Sequence, residues 1–265
     1  MEKIQMRGVP ETMLQTLYAR ASYSRQKGAK FHDDKAVEIV SRMDYDFSFA
    51  EKDAMMSKGV IARTILLDRM AGSFLRENPS GTVVNIACGL DTRAYRLKIA
   101  PSVRWYNIDL PETIEVRRLF LQEEGHISMI AKSAMDESWA ELIEQPKGRV
   151  LVLIEGLVMY LSELDVKRIL SIISRRFESA EVIMEVMNPW IVKHVKEKSI
   201  ERTKAKFMWG IKSGKELQRM APEYTWVKDV SLAEGMKIIM PVYHLFGWIP
   251  AVKNISNKLV VLKKG

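Results

Sequence analysis

The chain has one cysteine, Cys88, and only four histidines, His32, His126, His194 and His244, which lie far apart. A single cysteine allows neither an intramolecular disulfide nor a thiolate metal cage, and the histidines form no ligand-spaced pair, so no metal is expected. Long apolar runs are also missing. The longest, Val150 to Leu161, is broken by Glu155 and falls short of the roughly 20 residues that span a bilayer. Met1 to Gly8 holds no apolar stretch of the kind a secretion signal needs. These absences fit a reducing compartment, and a cytoplasmic protein without a membrane partner is expected. The formal charge is +8, yet Lys and Arg are dispersed, with the densest groups at Arg117-Arg118, Arg175-Arg176, Lys193 to Lys206 and Lys263-Lys264. None is a basic arm, so most of these side chains read as solvated surface and no nucleic-acid partner is expected.

With 47% hydrophobic residues over 265 positions, the chain can bury a sizeable core. It has no repeat and no flexible linker, so a single domain over residues 1–265 is expected. Residues 1–80 read as a helical leader. Leu14, Leu17, Tyr18 and Ala21 share one stripe between Thr12 and Ala21, and Leu66, Met70 and Phe74 share another between Val60 and Leu75. Asn78-Pro79-Ser80-Gly81 breaks the chain. Strands and helices then alternate over residues 82–187. Strands are predicted at Thr82–Ala87, Val103–Ile108, Ile127–Ala131, Arg149–Ile154 and Glu181–Met187, and the unbroken fourth suits the centre of a parallel sheet. Pro111 is placed for the first turn of a helix, and Ser162-Glu163-Leu164-Asp165 reads as a capping box. Residues 188–222 read as a helical insertion (Trp190 to Trp209, then Ser213 to Met220) over the mouth of the sheet. Residues 223–265 supply the last strands, Tyr224–Val230 and Leu259–Leu262, separated by an aromatic segment. The fold class is α/β, with helices around a mainly parallel sheet.

The most informative stretch is Val83-Val84-Asn85-Ile86-Ala87-Cys88-Gly89-Leu90-Asp91-Thr92-Arg93. An apolar strand stops at a small turn containing Gly89, and a second apolar run ends on Asp109, twenty residues later. In an α/β sheet this is the layout of a nucleoside crevice, where the turn admits a ligand to the backbone and the carboxylate accepts from both ribose hydroxyls. The pattern is not Gly-x-Gly-x-x-Gly, because Ala94 and Tyr95 stand where the third glycine would fall; an adenosine without a diphosphate fits better. Against this stands a plain strand-to-helix turn, with Asp109 merely capping the helix near Pro111. Glu155 ends the best strand on the same side and needs a partner if buried. Tyr160 follows a few residues on, either as an ordinary core aromatic or close to the reacting end. Cys88 has no neighbouring histidine to activate it and reads as a turn filler. Asn188-Pro189-Trp190 looks like a base-methylation motif but follows the wrong strand.

Asn85 to Arg93, Asp109-Leu110-Pro111-Glu112 and Glu155-Gly156-Leu157-Val158-Met159-Tyr160-Leu161 together resemble the leucine carboxyl methyltransferase family. The closer branch is the one similar to the tetracenomycin polyketide O-methyltransferase; Gly8 to Thr12 and Phe207 to Gly210 also look like segments of that branch. The resemblance implies a Rossmann-like class I methyltransferase: a mainly parallel seven-stranded sheet with an antiparallel edge strand, helices on both faces and a helical N-terminal extension. It implies S-adenosylmethionine as cofactor, S-adenosylhomocysteine as product and a small-molecule acceptor. By position, Arg63 would pair with the cofactor carboxylate, Ala87 and Gly89 would admit its methionine portion, and Asp109 would hold the ribose. Ser133 and Ala134 would lie by the adenine, Glu155 beside the amino end, and Tyr160 would orient the acceptor. The chain departs from the family at Ala87-Cys88, where another glycine is usual, and at Ala19, where some relatives place a lysine. An O-methyltransferase acting on a hydroxyl or carboxylate is expected, with Tyr18, Tyr23, Phe207 and Trp209 as pocket candidates and His194 or His244 as residues that could reach the acceptor. The competing classes are a carboxyl methyltransferase of a protein C-terminus, a nucleic-acid methyltransferase, an NAD-dependent oxidoreductase and a non-catalytic binder of the same cofactor. The sequence sets no oligomeric state.

Overall fold

The computed structural model describes residues 2–4, 8–123, 125–146, 148–194, 205–246 and 255–265. Seven strands form one sheet: β1 (Thr82–Ile86), β2 (Arg104–Asp109), β3 (Ile127–Ala131), β4 (Val150–Ile154), β5 (Ala180–Val186), β6 (Thr225–Ser231) and β7 (Lys258–Lys264). Their order is β3-β2-β1-β4-β5-β7-β6. The first five run parallel; β7 is antiparallel to both β5 and β6. The reversed strand therefore stands one place in from the edge rather than at it. The chain runs out to the edge as β6, and β7 then returns between β6 and β5.

Alternation along the strands explains why both faces are covered. Val84, Tyr106 and Val152 face a core that includes Ile169 and Ile173, on the helix Glu163–Arg176. Val83, Trp105, Leu151 and Leu153 face Leu67, Ala71 and Phe74, on the helix Ala54–Glu77. That second helix belongs to the leader, along with α1 (Thr12–Ser24), α2 (Asp34–Arg42) and a short turn at Ser48–Lys52. Taking the leader helix Ala54–Glu77 as α3, the helices that matter below are α4 (Arg93–Arg96), α5 (Pro111–Phe120), α6 (Glu163–Arg176), α7 (Gly214–Met220) and α8 (Leu232–Ile239), with shorter turns of helix at Ser138–Glu141, Pro189–His194 and Tyr243–Phe246. Leu14 and Leu17 of α1 pack with Ile39 of α2, Phe120 of α5 and Leu90, so the leader lies across the Gly89 turn. The capping box at Ser162 is present in both directions, and Pro111 opens α5. No described helix is long and apolar enough to cross a membrane.

The predicted strands match to within a residue or two at their ends. Helix α2 lies inside the helical leader without having been singled out there, and α8 has no counterpart in the sequence reading. In α8, a Cβ at Gly235 would fall 2.4 Å from the Ala62 carbonyl oxygen; the glycine allows α8 to pack backbone-close on α3. Of the proposed helical insertion, Pro189–His194 and α7 are helical, Ala205 to Lys212 are not, and 195–204 lie outside the described residues, as does Trp248 of the aromatic segment that separates the last two strands.

Candidate active site

Register brings the site together. Ile86 on β1 pairs with Ile108 on β2 and Ile154 on β4, and Ile154 pairs with Met184 on β5. The next residues, Ala87, Asp109, Glu155 and Glu185, therefore meet at one edge of the sheet. The chain has moved outward from β1 to β3 and then crosses to β4, so this edge is the topological switch point where open α/β sheets bind ligands.

Ala87 and Gly89 both take left-handed backbone, with φ of 54° and 49°. For Ala87 this costs about 1–2 kcal/mol, which a glycine there would avoid. The turn is braced from three sides. Asp109 Oδ2 accepts from the Gly89 amide at 2.7 Å, and its Oδ1 accepts from Leu110 N at 2.7 Å. The Arg117 guanidinium donates to the carbonyls of Gly89 and Asp91 at 2.9 and 2.8 Å. Above, Met13 of α1 lies so near that a Gly89 Cβ would be 3.0 Å from it. Arg117 is thus a buried brace, not the solvated residue its sequence context suggested.

A cavity of about 250 Å³ opens over this turn. Ala87, Gly89 and Asp109 line it on one side; Ser133 and Ala134, just beyond β3, line it further along; Arg63, Glu155 and Tyr160 line the remaining end. All eight residues nominated from the sequence therefore border one space. Burial pushes the Asp109 carboxyl above its ordinary value, against the Gly89 and Leu110 amides that favour the ion. A carboxylate with about four lone-pair sites and two amide donors keeps room for neutral hydroxyl donors.

Behind the cavity runs a buried ion network. Arg93 donates to Asp68 (2.8 Å), Asp91 (2.6 Å) and Glu155 (2.8 Å); Arg63 donates to Glu155 (2.6 Å) and Glu185 (2.8 Å). Asp33, capping α2, joins Arg20 at 2.9 Å and Arg96 at 3.0 Å. Arg20 also donates to the Leu90 carbonyl at 2.7 Å and borders the cavity. Burial works against ionising Asp33, Asp91 and Glu155, but the guanidiniums of Arg20 and Arg96, of Arg93 and Arg96, and of Arg63 and Arg93, respectively, outweigh it and hold all three below the ordinary carboxylate range. Their folded values lie under the unfolded ones of about 3.9–4.3. The stability they contribute is therefore complete above that range and is lost as pH falls through the folded values. Asp109, shifted upward, runs the other way and contributes less as pH rises. With three groups against one, Tm is expected to hold between pH 7 and about 5 and to fall steeply below about 4. A thermal melt series checks this, and a Tm unchanged down to about pH 3 contradicts it.

A second cavity of about 840 Å³ adjoins the first and shares Thr12, Thr16, Arg63, Gly156 and Tyr160 with it. Its walls include Met55, Met56, Met159, Met187 and Phe207, and Tyr160 lies 5.5 Å from Phe207 ring to ring. Of the aromatic pocket candidates only Phe207 lines this space. Tyr18 donates to Glu51 at 2.5 Å and stacks on Phe47, Tyr23 packs with Phe31 and Ile61, and Trp209 packs on the sheet core. His194 stacks on Trp190 and bonds to its carbonyl, and His244 is exposed; neither lines either of these two cavities. Cys88 is buried, and burial pushes its thiol well above the ordinary value, which keeps it an inert filler. Glu185 was missed, although a lone acid near the end of the apolar strand Val182-Ile183-Met184 is the same signal that marked Glu155.

Comparison with known proteins agrees with this geometry. A sequence model of the family described as leucine carboxyl methyltransferase matches residues 13–174. The tetracenomycin polyketide synthesis O-methyltransferase TcmP of Streptomyces glaucescens is 37% identical over 88% of this chain and 87% of its own. The S-adenosyl-L-methionine-dependent methyltransferase dpfgK of Gibberella zeae is 29% identical over 93% of this chain and 89% of its own. Among solved structures, the plantazolicin methyltransferase BamL, crystallised with a triazolic desmethylPZN analog and SAH, aligns over 97% of both chains with a TM-score of 0.50 and 10% identity, a likeness of fold. On the strength of the family match and the 37% identity over most of its length, the chain belongs to the leucine carboxyl methyltransferase family.

Proposed function

We propose that this S-adenosylmethionine-dependent methyltransferase acts on an oxygen, a hydroxyl or carboxylate, of a small molecule held in the second cavity. The observation that carries the proposal is the wall of Arg63, Gly156 and Tyr160 common to the two cavities: a nucleoside cofactor in one and an acceptor in the other would meet there. The first cavity suits the cofactor. Asp109, held by amides, has lone pairs for two ribose hydroxyls, and Ala87 and Gly89 offer close backbone. Ser133 and Ala134 would flank the adenine. Arg63 would take the carboxylate, since its Nη2 has no partner among the described residues. Glu155 would lie beside the amino group, with Arg93 fixing its carboxylate. When bound, the cofactor supplies a methyl group made electrophilic by the sulfonium.

The chain's own task is alignment. Holding an acceptor oxygen in line can contribute about 7–11 kcal/mol toward the barrier, and Tyr160, at the shared wall, is placed to orient it. The oxygen acceptor is supported by the O-methyltransferase TcmP among the relatives, and a small acceptor by the size of the second cavity. We take the chain to act as one domain. Incubation with methyl-labelled S-adenosylmethionine and a panel of phenols, carboxylic acids and peptides tests this. Label on a small-molecule oxygen is expected. Label only on nitrogen overturns the oxygen assignment, and label only on peptide C-termini moves the acceptor to a protein.

A further inference from the structure

Glu185, near the end of β5, lines the second cavity and is 2% exposed. Its Oε2 accepts two short hydrogen bonds, from Arg63 Nη1 at 2.8 Å and from the Gly156 amide at 2.9 Å. The two donors come from separate elements, helix α3 and the turn after β4, and both border the two cavities. Gly156 has a left-handed φ of 65°, and a Cβ there would lie 3.6 Å from Arg63 Nη1; the guanidinium rests against this turn. Arg63 Nε is taken by Glu155 at 2.6 Å. With Nε and Nη1 each held by a carboxylate, the planar guanidinium has a fixed direction. Its Nη2, without a partner among the described residues, is the end left for a ligand.

We propose that Glu185 is a positioning residue for the cofactor: it fixes Arg63 so that Nη2 meets the cofactor's carboxylate, and it acts by geometry rather than by charge. This deepens the assignment of the first cavity to the cofactor and rests on it. The charges give Glu185 no electrostatic reason to be there. Arg63 carries one positive charge and already faces Glu155; a second carboxylate beside it repels the cofactor's own. What Glu185 contributes is its two short hydrogen bonds. They hold in place the groups on which the amino-acid end of the cofactor would rest, Arg63 and, through the Gly156 peptide, the adjoining Glu155. Without them the guanidinium is free to turn, and a long side chain that must be frozen anew on binding costs affinity. Glu185 therefore acts from the acceptor side of the shared wall on the cofactor side, through Arg63.

Calorimetric titration of the full chain with two probes tests this: S-adenosylhomocysteine, and its decarboxylated analogue, which keeps the amine and the thioether but lacks the carboxylate. Wild type is expected to bind S-adenosylhomocysteine about tenfold more tightly than the analogue, as a hydrogen bond between charged groups implies. Glu185→Asp keeps the charge but draws the oxygens back by the length of a methylene. It is expected to weaken S-adenosylhomocysteine roughly three- to tenfold, the cost of freezing an unanchored side chain, and to leave the analogue within about twofold. Glu185→Gln drops the charge but keeps an accepting oxygen for Arg63 and Gly156, and is expected to hold S-adenosylhomocysteine to within about twofold of wild type. Should Glu185→Asp fail to fold, Glu185→Ala, which removes both bonds, carries the same comparison of the two probes. Equal weakening of both probes marks a merely structural residue and overturns the proposal. So does a loss in Glu185→Gln as large as in Glu185→Asp, which would make the charge decisive, and so does a wild type that does not distinguish the probes. In each of these results the cofactor assignment stands. Absence of S-adenosylhomocysteine binding to wild type would instead strike the broader function and this proposal with it.

Discussion

Arg93→Ala is expected to destabilise the protein by about 3–5 kcal/mol, the range found when one partner of a buried ion pair is removed. Arg93 is 1% exposed and fills the space between Asp68, Asp91 and Glu155. Removing it leaves Asp91 with the more distant Arg96 and Glu155 with Arg63 alone. The penalty is the cost of charges left without compensation inside the protein, and a cavity adds to it. Urea unfolding measures it. Arg175→Ala is the control: Arg175 pairs with Glu137 at the surface, both side chains 63% exposed, and its loss is expected to stay within about 0.5 kcal/mol. Comparable effects from the two variants would contradict the view that the buried network holds the site in shape.

The second large effect concerns affinity. Asp109→Ala is expected to weaken S-adenosylhomocysteine binding by about 1.5–3 kcal/mol, roughly 10- to 150-fold in Kd, the worth of a hydrogen bond to a charged group. Asp109 acts in two ways here: it offers acceptor sites to the ribose, and it holds the Gly89 amide in place. Tryptophan fluorescence titration reads the loss, and a parallel titration with NAD separates this site from a dinucleotide site. An affinity within twofold of wild type would mean that the carboxylate does not touch the ligand.

Much of this site is legible in the sequence, for a physical reason. Strands β1, β2 and β4 are apolar runs that each end abruptly on the side where ligands bind, and parallel register aligns those ends. Reading where the apolar runs stop therefore found Gly89, Asp109 and Glu155 together. What the sequence concealed depends on distant pairs. Arg63 meets Glu185 across 122 positions, and Arg20 reaches Leu90 across 70; no local pattern marks such partners. Arg117 passed for a surface residue of a helix end because its destination, the underside of the Gly89 turn, is set by how α5 packs beside β2 and β3. Helix α8 was hidden because Gly235, a poor helix former, is required by contact with Ala62. Tyr18 and Tyr23 sat on the right helix, α1, but turn toward leader residues and away from the cavity.

The most direct test of the central claim is a crystal structure of the protein soaked with S-adenosylhomocysteine. The expected result places the ribose hydroxyls on Asp109, the adenine beside Ser133 and Ala134, and the sulfur at the wall of Arg63, Gly156 and Tyr160, facing the second cavity. A ligand bound elsewhere, or a sulfur pointing away from that wall, would contradict it.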